Sequence, residues 1–186
     1  MCRGWLDAGV RLIQLRAKSL ASGPLLALAE ELAGSARAAG ATFVLNDRAD
    51  LARLAGAAGV HVGQTDLSPA DARRVLGPDA IVGLSTHSDA ELSAAMAEPV
   101  DYVAVGAVFQ TSMKGAAHPI VGLDFVRRAA ALGAAHAKPI VGIGGITIQR
   151  AASVIDAGAS SVAVITDLLN GDPALRAREY LAVLGL

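Results

Sequence analysis

Several short clusters of charged residues interrupt an otherwise apolar chain, and their side chains could do chemistry together. The cations are Arg16 and Lys18 in QLRAK and Lys114 in TSMK, and the carboxylates are Asp47 in FVLND and Asp66 in GQTD. A guanidinium can bind a phosphate through two parallel hydrogen bonds. Carboxylate oxygens beside such cations suit Mg²⁺, which prefers hard oxygen ligands. These residue types therefore indicate a site for a magnesium-bound phosphorylated ligand.

A second phosphate site is indicated nearer the end of the chain. Gly144 and Gly145 follow one apolar run, and Thr166 follows the next. Barrel enzymes often hold a phosphate on backbone N–H groups at these positions. Together the two sites predict two phosphorylated substrates. Each signal is weak when taken alone, because solvated charges, helix caps and packing glycines have the same appearance in a sequence.

Seven short apolar runs precede the polar clusters and are typical of β-strands. They are rich in Val, Ile and Leu, as strands covered on both faces of a parallel sheet are. The predicted strands span residues 10–15, 43–45, 60–62, 81–84, 102–109, 140–143 and 162–165.

The segments between these runs carry helix signals. Residues 24–39 place leucines and an alanine on one apolar stripe. Ser68-Pro69 and Asp172-Pro173 predict helix N-caps followed by proline at the first helical position. Ser88 and Glu91 have the spacing of a capping box. Glycines predict helix ends at positions 40, 77, 133 and 158.

Repeated strand–helix units leave two architectures, the open doubly wound sheet and the closed (β/α)8 barrel. Polar residues follow nearly every strand, and only a barrel brings all its strand ends to one mouth. We therefore predict an α/β fold, a TIM-type barrel formed by residues 1–186 as a single domain. The first strand is missing from the count, so either the chain start is truncated or misassigned, or another chain or a rearrangement fills the gap.

The composition excludes several functional classes. Sixteen basic and seventeen acidic residues give a net charge of −1, without a basic patch for nucleic acid or a membrane surface. No apolar run approaches the roughly 18 residues of a membrane span. One cysteine, Cys2, excludes an intrachain disulfide, so a cytoplasmic location is the simplest prediction.

The motifs resemble those of one family in order and spacing. They are QLR-x-K, NDR-x-DLA, GVHVGQ-x-D, G-x-STH, DYV-x-VG-x-VF-x-T-x-x-K, GIGGI and GA-x-x-VAVI, and they extend from Gly9 to the last helix. The chain resembles thiamine phosphate synthase. This resemblance implies a (β/α)8 barrel whose pattern begins with a strand that this sequence lacks. It also implies small phosphorylated substrates, and assembly with further copies of the chain, since family members are often assemblies.

The resemblance implies a transferase reaction in which an aminopyrimidine diphosphate and a thiazole phosphate give thiamine phosphate and pyrophosphate. Mg²⁺ would help the diphosphate depart, and the thiazole nitrogen would capture the resulting pyrimidine-methyl cation. By position, the implied Mg²⁺ ligands are Asp47 and Asp66. The implied ligands of the pyrimidine and its diphosphate are Gln14, Arg16, Lys18, Asn46 and Lys114. Ser85 would lie close to the reacting centre, and Arg16, Ser85 and Lys114 would be catalytic. The thiazole phosphate would be held by Thr111, Gly145, Ile165 and Thr166.

Two departures from the family pattern leave alternatives open. The usual T-x-T-K is replaced by Thr111-Ser112-Met113-Lys114, which puts affinity for the thiazole phosphate in question. The missing first strand puts barrel closure in question. The related thiazole tautomerase, an isomerase, is the nearest alternative, and Met113 with His87 in STH would fit it. The other alternative is a non-catalytic phosphate-ligand binder or a disabled fragment.

Overall fold

The computed structural model describes residues 2–111 and 119–185, and within them seven parallel strands form one sheet. The strands are β1 (Leu12–Leu15), β2 (Thr42–Asn46), β3 (Gly59–Val62), β4 (Ile81–Thr86), β5 (Tyr102–Val105), β6 (Ile140–Ile143) and β7 (Ser161–Ala163). They pair in chain order from β1 to β7. A doubly wound sheet needs a reversal of strand order, so this topology excludes it and confirms the barrel-type prediction.

Eight α-helices alternate with the strands in the described part of the chain. They are α1 (Cys2–Ala8), α2 (Ser22–Ala38), α3 (Ala49–Leu54), α4 (Pro69–Leu76), α5 (Asp89–Ala95), α6 (Gly122–Ala135), α7 (Ile148–Asp156) and α8 (Pro173–Val183), and a 3₁₀ turn spans Asp167–Leu169. The caps at Ser68 and Asp172 are confirmed, since both side chains accept hydrogen bonds from N–H groups of the following helix. No helix in the described ranges is long and apolar enough to cross a membrane.

The sheet is not closed by strands from the described residues. β1 pairs with β2 and β7 pairs with β6, and no ladder joins β1 to β7 within residues 2–111 and 119–185. Leu12 on β1 is 47% exposed. The seven strands expected from the sequence are therefore present, and the position between β1 and β7, where a (β/α)8 barrel has its remaining strand, holds none of them.

Three local predictions were wrong. β5 ends at Val105 because the next residues leave the ladder: the N–H groups of Val108 and Phe109 bind the carbonyls of Ile143 and Gly144. β7 ends at Ala163, which pairs with Ile143, the last residue of β6. The chain turns at Gly144, so β6 offers β7 no further partner. Gly133 lies inside α6 instead of ending it, and glycine is needed there for packing, because an added Cβ would lie 2.5 Å from the Lys138 carbonyl oxygen.

The predicted capping box at α5 is half correct. The Ser88 hydroxyl accepts from the Glu91 N–H at 3.2 Å. The Glu91 carboxylate accepts at 2.7 Å from the N–H of His87, one residue before the cap, so it does not return to Ser88.

The apolar core lies between the sheet and the helices. Along each strand alternate side chains point to opposite faces. Leu45, Val60 and Val82 are almost fully buried and belong to a cluster that includes helix residues such as Ala29 and Ala72. This packing fixes the strands, and so fixes the positions of the polar side chains on the opposite face.

Candidate active site

Strand register places a set of polar residues on the face of the sheet that points away from the helices. Residues paired in register in a parallel sheet point to the same face, as do residues two apart along one strand. Followed across the sheet, the set is Gln14 on β1, Asn46 on β2, His61 on β3, Gly83 and Ser85 on β4, and Tyr102 on β5. Five of these six residues carry a hydrogen-bonding side chain to one interior region, one from each of the strands β1 to β5.

Asp47 follows β2 in a strained turn. Its φ is +65°, in the left-handed region that non-glycine residues seldom adopt. The Arg48 N–H donates to the Asn46 carbonyl at 2.8 Å across this turn. Arg48 itself pairs with Asp50 and not with Asp47, so Asp47 is not the partner of a local ion pair with its neighbour. Strained backbone of this kind is concentrated at functional sites.

Lys18, Asp47 and Asp66 form a charged group at the ends of β1, β2 and β3, here called the rim. The Lys18 ammonium lies 3.0 Å from the Asp47 carboxylate. Asp66 lies within hydrogen-bonding reach of Asp47 and its own carboxylate accepts from the Gly63 N–H at 2.8 Å. The rim therefore unites one cation and both carboxylates that the sequence singled out.

The electrostatics of the rim are those of a site that needs a further cation. Burial raises the pKa of Asp47, and the adjacent Asp66 carboxyl raises it again. Lys18 lowers that pKa, and its hydrogen bond is the second-largest effect after burial, but burial and Asp66 together outweigh it. Lys18 is more than half exposed, so its charge is well screened. Among residues 2–111 and 119–185, the charges that contact the two carboxylates therefore neutralise them only partly.

The donor set of the rim suits Mg²⁺. Within the ranges that the structure describes, no group of three or more His, Cys, Asp or Glu side chains could hold a metal. Mg²⁺ typically binds through one or two carboxylates, with waters and substrate phosphates completing its octahedron. Asp47 and Asp66 match that requirement, and a closed zinc or calcium cage would require more protein ligands.

Deeper in the site, the side chains of Tyr102, His61 and Ser85 form a continuous line of hydrogen bonds, here called the inner chain. Gln14 lies close to its Tyr102 end, and this interaction lowers the pKa of the phenol. The Tyr102 hydroxyl lies 2.9 Å from His61 Nδ1, and His61 Nε2 lies 2.8 Å from the Ser85 hydroxyl. Burial lowers the pKa of His61 to about 4, so its imidazole is neutral at pH 7. Burial also raises the pKa of Tyr102 to about 12, which keeps the phenol neutral.

Gly83 makes the inner chain sterically possible. It pairs in register with His61 on one side and with Tyr102 on the other. An added Cβ would lie 2.1 Å from Tyr102 Cζ and 2.6 Å from His61 Nδ1. The two rings therefore meet across the space that the missing side chain leaves, with their centroids 5.5 Å apart. The sequence interpretation assigned no function to Gly83, His61 or Tyr102.

The turn at Gly144–Gly145 lies against the loop that leads to Thr111. Gly145 has φ +66°, and an added Cβ would lie 2.4 Å from the Gln110 carbonyl oxygen. Arg150 binds the two segments together, since its guanidinium donates to the Gly145 carbonyl and lies 4.9 Å from the Phe109 ring centroid. Thr111, which is half-buried, and Gly145 are therefore brought to one region.

Asp167 occupies part of the helix N-terminus at which a second phosphate site was expected. Its carboxylate accepts from the Ile148 N–H at the start of α7 at 3.1 Å, and from the Tyr180 hydroxyl at 2.6 Å. Arg176 pairs with it at 3.2 Å. One amide of the helix N-terminus is therefore already bound to a carboxylate, so a phosphate here would depend more on the Gly144–Gly145 turn.

The remaining candidate residues are placed as follows. Gln14 and Arg16 are exposed at and just beyond the end of β1, and Asn46 is half-buried at the end of β2. Ile165 and Thr166 are exposed between β7 and the 3₁₀ turn. His87 bonds through Nδ1 to the Gly106 carbonyl at 2.6 Å. Lys114 and Met113 lie outside the described residues.

Comparisons with known proteins agree with this geometry. A family model described as thiamine monophosphate synthase matches residues 2–168. The chain is 51% identical over 176 residues to a thiamine-phosphate synthase from Koribacter versatilis, covering 95% of this chain and 81% of that protein. It is 45% identical over 182 residues to a thiamine-phosphate synthase from Thermus thermophilus, covering 94% and 85%.

A solved structure is similar throughout its fold. The thiamine phosphate pyrophosphorylase from Pyrococcus furiosus superimposes with a TM-score of 0.89 at 28% identity, covering 99% of this chain and 87% of that chain. The family match extends over most of the sequence, and the similarity in structure extends over nearly all of it. The chain belongs to the thiamine monophosphate synthase family.

Proposed function

We propose that this protein couples an aminopyrimidine diphosphate with a thiazole phosphate, releasing thiamine phosphate and pyrophosphate. The observation that carries the proposal is the rim, where Lys18, Asp47 and Asp66 meet although they follow three different strands. The names of the relatives support the same reaction for this chain. The enzyme is accordingly a transferase of alkyl groups acting on small phosphorylated molecules.

The rim would bind the diphosphate together with Mg²⁺. Asp47 and Asp66 would hold the ion, which supplies charge neutralisation for the departing diphosphate. Arg16 and Lys18 follow β1 and Asn46 ends β2, and these three side chains would bind the phosphate oxygens. Lys114 would add a further cation from the segment outside the described residues. Fixed charges aimed at a leaving group are worth more than mobile ones, because they need no reorganisation as the bond breaks.

The nucleophile requires no general base. A thiazole ring nitrogen attacks with a lone pair and has no proton to lose. The contribution of the protein at this stage is orientation, which brings the second substrate against the first. Gly145, Thr111 and Thr166 would hold its phosphate, and Ser85 would lie near the carbon that is transferred. The replacement of a hydroxyl by Met113 in this region is expected to weaken that binding.

The test is stoichiometric release of pyrophosphate. We expect turnover only when both substrates and Mg²⁺ are present, and loss of turnover in EDTA that Mg²⁺ restores. Undiminished coupling in EDTA would contradict the metal assignment. Isomerisation of the thiazole phosphate without pyrophosphate release would instead support the tautomerase alternative, and saturable binding without turnover would support a non-catalytic binder.

We also propose where the protein acts and that it assembles with further copies of itself. A chain with one cysteine and a net charge of −1 fits a cytoplasmic enzyme of cofactor biosynthesis. Assembly of several copies would be read from the molar mass in solution by light scattering.

A further inference from the structure

Beyond the ends of β5 and β6, two loops lie side by side and are bonded to each other. The Phe109 N–H donates to the Gly144 carbonyl at 3.0 Å. An added Cβ on Gly145 would lie 2.4 Å from the Gln110 carbonyl oxygen, so the two backbones approach to a distance that only glycine allows. The Gly144–Gly145 turn is therefore held against the residues that immediately precede Thr111.

This contact fixes the direction of one N–H group. The peptide between Gly144 and Gly145 is trans and planar, so its C=O and its N–H point in opposite directions. Because the C=O accepts from Phe109, the Gly145 N–H points away from residues 107–110. It makes no hydrogen bond within residues 2–111 and 119–185. A backbone N–H held in this way can donate to an anion, as a phosphate bound at this turn requires.

Arg150 holds both loops at once. It lies in the first turn of α7, and its Nη1 donates to the Gly145 carbonyl at 3.1 Å. Its guanidinium carbon lies 4.9 Å from the centroid of the Phe109 ring. A planar guanidinium can donate at its edge and stack with its face at the same time. Without it, the turn would be attached to residues 107–110 by backbone contacts alone.

The contribution of Arg150 is not to its own helix. The N-terminus of a helix carries a partial positive charge, which makes a cation in the first turn unfavourable. The first turns of α3, α4, α5 and α6 carry acidic residues, and that of α7 carries none. The carboxylate nearest the start of α7 is that of Asp167, and its charge is paired with Arg176. The contacts with Gly145 and Phe109 are therefore what Arg150 adds to the structure.

We propose that Arg150 is a positioning residue for the thiazole phosphate, because it fixes the Gly145 N–H and Thr111 in the relative positions that bind the phosphate group. The inference rests on the proposed function and adds the residue that shapes its second phosphate site. Arg150 acts through the Gly145 carbonyl and the Phe109 ring, so this role requires no contact between its side chain and the substrate.

The first experiment measures KM for each substrate in the wild type and in Arg150→Met, which removes the guanidinium and keeps an unbranched side chain. We expect KM for the thiazole phosphate to rise about tenfold, which corresponds to about 1.4 kcal/mol. KM for the pyrimidine diphosphate and kcat at saturation should stay within about twofold of the wild type, because the rim and Ser85 are unchanged. A rise in KM for both substrates, or none for the thiazole phosphate, would contradict the proposal.

Arg128→Met is the matched control. Arg128 is also a helix arginine next to a phenylalanine, with its guanidinium carbon 5.5 Å from the Phe125 ring centroid. Its hydrogen bonds go to Asp89 and not to the Gly144–Gly145 turn. We expect all three kinetic constants of Arg128→Met to stay within about twofold of the wild type.

Phe109→Leu separates positioning from simple attraction between Arg150 and the phosphate. It keeps the charge at position 150 and removes the ring on which the guanidinium stacks. A positioning role predicts that KM for the thiazole phosphate rises here too, and that the double variant with Arg150→Met is no worse than Arg150→Met alone. A wild-type KM in Phe109→Leu, or effects that add in the double variant, would mean that Arg150 acts as a charge and would overturn the proposal.

A second measurement does not depend on turnover. Inorganic phosphate is titrated into the protein while the Gly145 amide signal is followed by ¹H–¹⁵N NMR spectroscopy. The signal should shift saturably in the wild type, and Arg150→Met should need at least about tenfold more phosphate for the same shift. Equal titrations, or no shift in the wild type, would overturn the positioning role. Absence of pyrophosphate release from both substrates and Mg²⁺ would overturn the proposed function and leave this result standing.

Discussion

The rim and the inner chain lie in one site but are built on opposite physical principles. The rim is charged, partly exposed and strained, and its two carboxylates are incompletely neutralised. The inner chain is neutral, and its central histidine is buried and fully hydrogen-bonded through both ring nitrogens. The rim is suited to binding and releasing a charged group, and the inner chain to holding side chains of the pocket in fixed positions.

Stability and function conflict at the rim but not in the inner chain. A charged rim lowers the stability of the empty protein because carboxylates are held close together. The inner chain should raise it because both ring nitrogens of the buried His61 have hydrogen-bond partners. Substitutions in the two regions are therefore expected to change the free energy of unfolding in opposite directions.

The largest effect is expected on activity at the rim. Asp66→Asn keeps an oxygen that can accept from the Gly63 N–H, so the loop should remain in place, but it removes a metal-binding charge. We expect coupling to fall about 10³-fold, or about 4 kcal/mol of transition-state stabilisation. Pyrophosphate release at saturating Mg²⁺ measures it.

The matched control is Asp50→Asn. Asp50 lies near the rim in sequence but is exposed and paired with Arg48. Its variant should retain activity within about threefold of the wild type. A similar loss in both variants would mean that general charge, and not metal binding, explains the effect.

The next effect is on stability at the inner chain. Gly83→Ala would place a Cβ 2.1 Å from Tyr102 Cζ, and both flanking rings are held by hydrogen bonds. We expect the free energy of unfolding to fall by about 3 kcal/mol, measured by urea denaturation. Gly34→Ala is the control, because Gly34 lies inside α2 with open space around it, and the change should stabilise by about 0.5–1 kcal/mol.

The sequence was sufficient for the rim but not for the inner chain. Asp47 and Asp66 stand where apolar runs change to polar residues, and parallel strands bring such ends to one edge. His61 stands inside an apolar strand, and Tyr102 begins another, so each looked like an ordinary strand residue. The two hydrogen-bond partners of His61 lie 24 and 41 residues away along the chain, and strand register brings them together. A titratable residue within an apolar strand, opposite a strand glycine, was the available signal.

The fold was predictable for the same reason as the rim. Alternation of apolar runs and helical stripes is a local property, and it predicted the seven strands that the described residues form. The ends of β5 and β7 were not predictable, because they depend on where β6 turns away. The position of Asp167 at the start of α7 was missed as well, because it depends on contacts between loops after two different strands.

Acid should destabilise the protein through the inner chain. The pKa of His61 is lowered to about 4 by burial, against about 6.5 in an unfolded chain. Between these values the unfolded form binds one more proton, so the free energy of unfolding falls as the pH falls. The contribution lost between pH 7 and pH 4 is about 3 kcal/mol.

Denaturation by urea at several pH values measures this contribution. His61→Gln should show a flatter pH dependence than the wild type through this window. His136→Gln is the control, because it replaces an exposed histidine at the end of α6, and its pH dependence should match that of the wild type. Equal slopes in His61→Gln and the wild type would contradict a buried neutral imidazole.

The smallest effect is expected on the free energy of unfolding when a charge is removed from the rim. The sign of this change is more informative than its size. The folded-state pKa of Asp47 is raised, by burial first and by Asp66 next. Above that pKa the ionised carboxylate costs the folded protein free energy, and below it the cost disappears. Asp47→Asn should therefore raise the free energy of unfolding in EDTA at pH 7, by less than about 1 kcal/mol because solvent screens the group. The gain should fade as the pH falls towards 4.

In the same measurement, Asp50→Asn should change the free energy of unfolding in the opposite direction. Its ion pair with Arg48 lowers the pKa of Asp50, so the ionised form stabilises the folded protein at neutral pH. The variant should lose stability at pH 7 and approach the wild type in acid. Asparagine is also favoured at the positive φ of position 47, but that gain is independent of pH. Only the part that changes with pH reports the carboxylate pair.

If Asp47→Asn and Asp50→Asn shifted stability in the same direction with pH, the rim would be an ordinary set of surface charges. Mg²⁺ should then stabilise the wild type no more than Asp47→Asn, whereas a metal site requires the wild type alone to gain.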